Sequence, residues 1–356
     1  MKVLVIQQKM IGDVLISSII CNNLKTEYPD AQIDYLVYDF TFPVIENNPN
    51  IDNVILFDKK KVNNFLKLLK FAFEIRKKNY DIVIDAYAKL ESGIVTLFSG
   101  AERRISYKQK GLQIAYNEKI DHLNTSTSSF GLAIDRKIVL FKSLINKNSI
   151  DPYPKLFLTD LEKKETLQLF KDFNIDKSKN KVIMFSIFGS EKAKTYPLEY
   201  MLNLIEFTAQ NTNCSILFNY TNKQKQDALQ LFQLCSSATQ KKIQLDLIGT
   251  DLRSFIKIMD NCDLIIGNDG GAVNIAKALN KPSFTIFSPW IKKENWSIFE
   301  DGTTHIGVHL FDFYPELKKQ FELKKLKEEY SNFYLKLKPE LFSDKLNTFL
   351  NQNLKS

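Results

Sequence analysis

Along the first hundred residues, the pattern of hydrophobic and polar positions changes repeatedly between strand-like runs and helix-length segments. Short runs rich in β-branched side chains, such as KVLVI at 2–6 and DIVIDA at 81–86, are typical of buried strands. Similar strand-like runs are QIDYLVY, NVILFD and RRISY. Helix-length segments separate them at 14–26, 41–48, 60–79 and 90–99. This alternation predicts βαβ units and a parallel sheet.

A second series of the same kind follows an interruption at 151–154, where DPYP carries two prolines. Proline removes a backbone donor and disfavours helix in the residue before it, so the pattern breaks there. The predicted strands of this series are KVIMFSIFG, CSILFNY, KIQLDLIG, CDLIIGND and SFTIFS. The predicted helices are 197–211, 222–237, 251–261 and 271–280, with a helical tail from 315.

The length and the two series together predict two domains. A chain of 356 residues exceeds the usual size of one hydrophobic core, and 44% apolar with 25% charged residues is ordinary for a folded protein. We expect an N-terminal domain at 1–155, a C-terminal domain at 156–330 and a helical tail at 331–356 that packs back on the N-terminal domain. Parallel-sheet domains bind ligands at the carboxyl ends of their strands, so functional residues should follow strands.

The net charge bears on the class of partner, and the cysteines bear on the cellular compartment. The net charge of +8 favours an acidic partner, but the lysines are mixed with acids and lack the clustered arginines and aromatics of a nucleic-acid platform. We therefore expect no nucleic-acid partner. Four distant cysteines without a C-x-x-C pair indicate buried thiols and a reducing compartment.

The chain also lacks sequence signals for membrane insertion. Gln7, Lys9 and Asp13 interrupt the apolar N-terminal stretch, which argues against a secretory signal. No stretch approaches the length of a membrane span. A cytoplasmic protein is the expectation.

Gly12-Asp13 opens the first predicted helix just after the first strand, at the edge where a parallel sheet presents its ligand. An aspartate at this position also fits a helix cap, because its side chain accepts backbone N–H groups. Asp269-Gly270-Gly271 stands in the same place in the second series. Its glycines fit either a tight turn or an anion site at a bare helix start.

A third stretch, GSEKAKTYP at 189–197, also follows a strand and contains Ser190 and Lys194. Such a lysine can meet a phosphate as a point charge or remain a solvated side chain. The sequence has no H-E-x-x-H, G-x-S-x-G, G-x-G-x-x-G or paired D-x-D motif. These absences disfavour zinc and serine hydrolases, a dinucleotide site and a paired-aspartate metal site, and they leave metal-independent phosphate binding.

Four stretches, in this order, resemble the heptosyltransferases of lipopolysaccharide core synthesis, the family-nine glycosyltransferases. The first is VLVIQQKMIGDVLISSIICNNLKTEYPDAQIDYLV, which looks like the family's opening strand, G-D helix and second strand. SGAERRISY is similar to its G-A-x-x-R-I-G segment, and KTYP stands where the family has K-x-W-P. NDGGAVNIAKALNKPSFTIFSPW matches the D-[ST]-G-x-x-H region, so that the resemblance spans roughly residues 1–300.

The resemblance implies the GT-B fold, with two Rossmann-like parallel-sheet domains that face each other across a cleft, and a helical C-terminal tail. The N-terminal domain would bind the acceptor and the C-terminal domain a nucleotide diphosphate sugar, which is a substrate, so no cofactor or metal is expected. Asp13 matches the family's catalytic base, with Gly12 beside it in the acceptor site. The donor-site residues implied are Ser190, Lys194, Asp269, Gly270, Gly271 and Asn274.

The family's acceptor is the lipopolysaccharide core, an anionic glycolipid. Arg103 and Arg104, with Lys108 and Lys110, form a basic cluster that could bind acceptor anions or the inner face of the cytoplasmic membrane. A solvated loop is the other interpretation. The resemblance thus implies a cytoplasmic, inverting, metal-independent glycosyltransferase with peripheral membrane contact.

Three departures from the family pattern bear on the donor. Gly270 replaces a serine or threonine, Asn274 replaces a histidine, and FNYTNKQKQ at 218–226 replaces a Gly-Gly-Pro region followed by a glutamate. A transferase that uses a UDP or GDP sugar is therefore an alternative. A nucleotide-binding module without catalysis, in which Asp13 is only a helix cap, is another.

Overall fold

The computed structural model describes residues 1–146, 150–320 and 322–354. Residues 147–149 of the predicted N-terminal domain and residues 355 and 356 of the predicted tail lie outside the described residues. The chain divides into two compact units, Met1–Phe157 and Leu158–Ser356, just beyond the predicted boundary at residue 155.

The first unit contains a six-stranded parallel sheet in the order β3-β2-β1-β4-β5-β6. Its strands are β1 Lys2–Ile6, β2 Gln32–Tyr38, β3 Asn53–Phe57, β4 Ile82–Asp85, β5 Arg103–Tyr107 and β6 Glu118–Ile120. Along the chain, β2 and β3 are added on one side of β1, and β4, β5 and β6 are then added on its other side. The predicted strands of the first series are confirmed, and the short β6 is an addition.

Three α-helices connect strands of this sheet, α1 Ile11–Glu27, α2 Phe65–Arg76 and α3 Leu90–Phe98, and α4 Leu132–Phe141 follows β6. Short 3-10 turns cover Asp39–Val44, Gln113–Ala115 and Lys142–Leu144. The second helix begins later than predicted because Asn64 caps it, accepting the Lys67 N–H at 2.9 Å. One apolar cluster joins Leu4, Leu36 and Val83 of the sheet to Leu68 and Val95 of α2 and α3.

The second unit contains a five-stranded parallel sheet in the order β11-β10-β9-β7-β8. Its strands are β7 Lys181–Ser186, β8 Cys214–Phe218, β9 Leu264–Asn268, β10 Ser283–Ile286 and β11 His305–Val308. The prediction of a strand at KIQLDLIG was wrong, because only Ile243 bridges to Ile216 before the chain turns, with the Leu247 N–H bonded to Gln244. The edge strand β11 was not predicted.

The helices of the second unit are α5 Asp160–Asp172, α6 Leu198–Asn211, α7 Lys225–Leu234, α8 Ser237–Gln240, α9 Leu252–Asp260, α10 Gly271–Ala278 and α11 Lys293–Trp296. The tail adds α12 Leu317–Gln320, α13 Leu323–Glu328, α14 Tyr330–Tyr334 and α15 Ser343–Asn353. Buried tail residues lie in the core of this unit, where the rings of Phe342 and Phe349 pack at 5.9 and 5.6 Å from Phe284. These contacts correct the prediction that the tail packs on the N-terminal domain.

All four cysteines are buried and unpaired, as predicted. In the described ranges, no helix combines the length and the apolar character needed to cross a bilayer. Across the same residues, no group of three or more His, Cys, Asp or Glu side chains is arranged to hold a metal ion.

Candidate active site

Each sheet has one point at which the strand order reverses. In the first sheet this point lies between β1 and β4, and in the second between β7 and β9. Ligands of open α/β sheets bind in the crevice at the carboxyl ends of the strands that flank such a point. Asp13 follows β1, Lys194 follows β7, and Asp269 follows β9. The main predicted residues therefore lie at the crevice expected in each unit.

Asp13 lies in the first turn of α1, half-buried, beside the buried Gly12. Its Oδ2 accepts the backbone N–H of Met10 at 3.3 Å, longer than the usual 2.9 Å or so. Among the described residues no hydrogen bond to its other carboxylate oxygen is found. The carboxylate does cap the helix start, but it keeps the capacity to accept a further proton or hydrogen bond.

Two ionisable residues that were not predicted lie at the same crevice. Asp85 at the end of β4 is buried and accepts the N–H of Tyr87 at 3.0 Å, the N–H of Ala88 at 2.8 Å and the hydroxyl of Tyr116 at 2.7 Å. Burial raises its pKa, while the hydrogen bonds act in the opposite direction. Lys137 of α4 is also buried, which lowers its pKa, while Asp13 and Asp85 act to raise it.

The sequence contains a signal for both residues. Asp85 ends the apolar run DIVIDA, at the strand end where a parallel sheet carries ligand-facing groups. Lys137 lies three residues after the buried Ile134 and three before the buried Leu140, on the apolar stripe of α4. A lysine at a core position of an amphipathic helix departs from the apolar pattern, and such departures are typical of functional positions.

Arg103 and Arg104 do not lie with Asp13. They begin β5, and Arg103 pairs in register with Ile82 at the start of β4, at the amino edge of the sheet. The Arg103 guanidinium binds Glu118 through two bonds of 2.6 and 2.9 Å, and Arg104 donates to the carbonyls of Ala115 and Ala101. These contacts correct the assignment of both arginines to the acceptor site.

The other two lysines of the predicted basic cluster lie near the carboxyl end of β5. Lys108 follows the strand and pairs with Asp121 at 2.7 Å, in an exposed position. Lys110 is also exposed, in the turn that follows. The predicted cluster is therefore divided between the two edges of the sheet.

In the second unit, the turn after β7 holds Lys194 in a fixed backbone position. A Cβ added at Gly189 would lie 2.3 Å from the carbonyl oxygen of Lys194, so only glycine fits there. The next residue, Ser190, is exposed. Asn268 at the end of β9 accepts the Tyr196 N–H at 2.7 Å and donates to Ser186 at 2.9 Å, which links the turn to both central strands.

The Lys194 ammonium lies 5.5 Å from the centroid of the Trp290 ring, within the range of a cation–π contact. Trp290 donates its indole N–H to the carbonyl of Ala193 at 3.0 Å, and the Ser288 hydroxyl donates to the same carbonyl at 2.6 Å. These contacts hold the turn from the side of the loop after β10. Trp290 is the last residue of the fourth family-like stretch, and no role was predicted for it.

The paired glycines begin α10 with a bare backbone. Gly270 is the N-cap residue without a side-chain hydrogen bond, and its φ of 166° and ψ of −168° describe an extended backbone that any residue adopts. A Cβ added at Gly270 would meet no atom within 4 Å. Neither a strained turn nor close packing requires a glycine here, and the space beside the helix start is open.

Asp269 precedes the glycines and is half-buried, and its burial raises its pKa to about 6. The positive charges of Lys194 and Lys277 oppose this rise, and Glu300 adds to it. Burial likewise lowers the pKa of Lys277 to about 8, and its ammonium donates to the carbonyl of Ile298 at 2.6 Å. The pKa of the carboxyl group beside the open helix start is therefore well above the ordinary value for an aspartate.

The departures from the family pattern lie at the carboxyl edge of this sheet. Asn274 is half-buried in the first turn of α10, where its N–H reaches the Gly270 carbonyl at 3.4 Å. Asn222 and Lys223 are exposed in the 3-10 turn Asn222–Gln224 after β8. The side-chain oxygen of Gln224 accepts the Thr221 N–H at 2.9 Å and so caps the same turn.

The chain is similar to known proteins over most of its length. The family model "Glycosyltransferase family 9 (heptosyltransferase)" matches residues 68–327. A lipopolysaccharide heptosyltransferase 1 of Campylobacter coli is 26% identical over 97% of this chain and 100% of its own length.

Solved structures share the fold. A family-nine glycosyl transferase of Veillonella parvula superposes with a TM-score of 0.81 at 18% identity, covering 98% of this chain and 97% of its own. The E. coli ADP-heptose lipopolysaccharide heptosyltransferase II gives a TM-score of 0.69 at 19% identity, covering 95% of this chain and 99% of its own. The predicted GT-B architecture of two parallel-sheet α/β domains with a helical C-terminal region is thereby confirmed. The chain belongs to glycosyltransferase family 9, the heptosyltransferase family, and is a glycosyltransferase.

Proposed function

We propose that the protein transfers a heptose from a nucleotide diphosphate sugar to a lipopolysaccharide core acceptor, with inversion and without a metal ion. The names of the Campylobacter coli and E. coli relatives support the sugar and the acceptor. The observation that carries the proposal is that three of the family-like stretches lie at the switch points of their sheets. The first supplies a partly free carboxylate, KTYP supplies a lysine, and the stretch with the paired glycines supplies a bare helix start.

Asp13 is the general base of the proposed reaction. The acceptor hydroxyl oxygen forms a bond to the anomeric carbon while the bond from that carbon to the diphosphate oxygen breaks, and the bonding electrons leave with the diphosphate. The proton of the hydroxyl passes to the Asp13 carboxylate. A single displacement of this kind inverts the anomeric centre, and a positioned base typically contributes about 10²- to 10⁴-fold in rate.

Lys194 and the N–H groups at the start of α10 bind the leaving diphosphate. A lysine provides a compact positive charge, and a helix start adds roughly half a positive charge together with unpaired donors. Gly270 leaves the space in front of these donors open. These groups compensate the charge that develops on the diphosphate, which is the task a metal ion performs in other transferases.

The acceptor proposed here is anionic and belongs to a membrane surface, so a cytoplasmic location at the inner face of the membrane is part of the proposal. Lys108 and Lys110 are two basic residues at the carboxyl edge of the first sheet that could meet acceptor anions. They replace Arg103 and Arg104 in this role, because the two arginines are bound at the opposite edge.

A transferase with a UDP or GDP sugar as donor is the second candidate. The amide of Asn274 stands where the family has a histidine, and the exposed Asn222 or Lys223 stands where it has an acid for the donor. A lysine does not accept hydrogen bonds from ribose hydroxyls as a carboxylate does. These replacements favour a change in the nucleoside that the site accepts.

The test is a screen of ADP, UDP and GDP sugars, first by thermal shift and then by transfer to a lipopolysaccharide core acceptor, with product detected by mass spectrometry. A donor at about 100 times its dissociation constant stabilises by about 2.7 kcal/mol. We expect the ADP-heptose to give both a shift and a product. A shift and product only with a UDP or GDP sugar would support the second candidate, and a shift without product from any donor would support a binding module.

Lys194→Met tests whether the binding occurs at the proposed diphosphate site. Loss of one charged hydrogen bond removes about 1.5–3 kcal/mol, so we expect about 10- to 100-fold weaker donor binding. Lys192→Met is the matched control, because Lys192 is exposed on the same turn. Equal donor binding by the Lys194 variant and the control would place the nucleotide elsewhere.

A further inference from the structure

Lys137 is a buried lysine on the apolar face of a helix. Its α4 neighbours Ile134, Leu140 and Phe141 are fully buried, and Lys137 itself is only 8% exposed. The ammonium therefore points into the unit instead of reaching solvent, as lysine side chains usually do. An apolar side chain of similar length would fill the same space without burying a charge.

The ammonium connects the two loops that flank the switch point of the first sheet. It donates to the side-chain oxygen of Gln7, after β1, at 3.0 Å, and to the carbonyl of Ala86, after β4, at 3.1 Å. Both acceptors are neutral oxygens. Lys137 thus ties the segment that leads into α1 to the loop of the neighbouring strand.

A short chain of contacts leads from Lys137 to Asp13. The Gln7 side-chain amide donates to the carbonyl of Lys9 at 2.6 Å, and the same peptide group supplies the Met10 N–H that binds Asp13. The carboxylates of Asp13 and Asp85 favour the charged form of Lys137, while burial and Arg136 oppose it. Position and charge both couple the lysine to the Asp13 carboxylate.

We propose that Lys137 is a positioning residue for the transfer reaction, which holds the loop of residues 7–10 and thereby the Asp13 carboxylate in the orientation that accepts the acceptor proton. This inference rests on the proposed function of Asp13. Lys137 does not touch the substrate in this proposal. A displacement of about 1 Å at the base is enough to lower a rate about 100-fold, so a second residue that fixes the base contributes to turnover.

Lys137→Met removes the ammonium and keeps the length of the side chain. We expect kcat to fall about 10- to 100-fold, while donor KM and the thermal shift with the donor stay within about twofold of wild type. Hydrogen exchange of the amides in residues 9–14 should become faster, which reports loss of positioning independently of turnover. Lys142→Met, at an exposed lysine just after the same helix, is the control and should behave as wild type.

The exchanged pair Gln7→Lys with Lys137→Gln provides the rescue. It restores an ammonium and an amide oxygen to the two contacting positions, so we expect kcat to return to within about threefold of wild type and exchange in residues 9–14 to slow again. If Lys137→Met does not fold, this exchanged pair carries the test alone: recovery supports positioning, and a folded pair with low kcat contradicts it.

The results separate this inference from the proposed function. Wild-type transfer that is lost in Asp13→Asn but unchanged in Lys137→Met, with unchanged exchange, would overturn the role of Lys137 and leave the proposed function standing. Absence of sugar transfer by the wild-type protein with every donor would overturn both.

Discussion

The switch points of the two sheets use different chemical groups. In the first unit the ionisable groups are side chains, namely the half-buried Asp13 and the buried Asp85 and Lys137. In the second unit the helix start of α10 carries no side chain on Gly270 or Gly271, and Lys194 comes from a short turn. The first crevice thus presents a partly free carboxylate next to a loop that Gln7 and Lys137 hold, and the second presents backbone donors and one cation.

This difference matches two different tasks in sugar transfer. In the proposed transfer, the proton must reach one atom at one place, so a carboxylate next to a loop that hydrogen bonds hold is suited to it. Binding of a diphosphate needs several donors around an extended anion, which a helix start supplies without any side chain. Substitution should therefore damage chemistry in the first unit and binding in the second.

Asp13→Asn should have the largest effect, because it removes the proton acceptor and keeps the shape of the side chain. We expect kcat to fall about 10²- to 10⁴-fold, with donor binding unchanged in a thermal-shift titration. The control is Asp30→Asn, at an exposed aspartate of the same unit. Near-normal turnover of Asp13→Asn with purified donor and acceptor would make the assignment of the base wrong.

Gly270→Leu should weaken donor binding and leave stability unchanged. The backbone of Gly270 is extended and the space beside it is open, so the protein alone accommodates a side chain there. A bound diphosphate would need that space, and we expect about tenfold weaker binding in a calorimetric titration, with Tm within about 2 °C of wild type.

Gly267→Ala is the contrasting variant of the same unit. Gly267 has a φ of 134°, and an added Cβ would lie 2.3 Å from the carbonyl oxygen of Ser186. We expect Tm to fall by about 5 °C or more. If Gly270→Leu instead lost stability to this degree, or bound donor as wild type does, the open space at Gly270 would not be the diphosphate site.

Much of the fold could be predicted because a parallel sheet buries both faces and leaves continuous apolar runs in the sequence. KIQLDLIG failed as a strand because a short apolar run does not reveal whether a partner strand is available; here Ile243 forms one bridge and the chain turns. The predicted packing of the tail was wrong for a related reason. The sequence shows that the tail has apolar residues, but it does not show which core buries Phe342 and Phe349.

The predicted site residues were found through motifs, and the errors came from features that motifs omit. Arg103 and Arg104 were assigned by charge and order along the chain, whereas their place at the amino edge depends on where β5 begins and on contacts with Glu118 and Ala115. Lys137 is distant in sequence from Asp13, so only the folded sheet brings the two together. The predicted cleft shared by both units stays a prediction.

Asp269 should give the smallest effect, a pH dependence of donor binding. Its pKa of about 6 means that the carboxyl is mostly neutral at pH 5 and mostly charged at pH 7. A diphosphate beside it binds better when the carboxyl is neutral, so affinity should fall as pH rises through 6. We expect about a threefold loss, which corresponds to about half a pKa unit of coupling, reduced by the positive charges of Lys194 and Lys277.

Calorimetric titration of a nucleotide diphosphate sugar at several pH values between 5 and 7 measures this slope, since such a ligand has no group of its own that titrates there. Asp269→Asn is the matched variant and should bind with the same affinity across the range. A flat profile in the wild type would place the diphosphate away from Asp269. Burial lowers the pKa of His305 to about 4 and that of Lys277 to about 8, so neither group accounts for a slope between pH 5 and 7. A slope that persists in Asp269→Asn would therefore assign the titration to a group other than these three. Either result would leave Lys194 and the helix start to bind the anion without a contribution from the protonation state of Asp269.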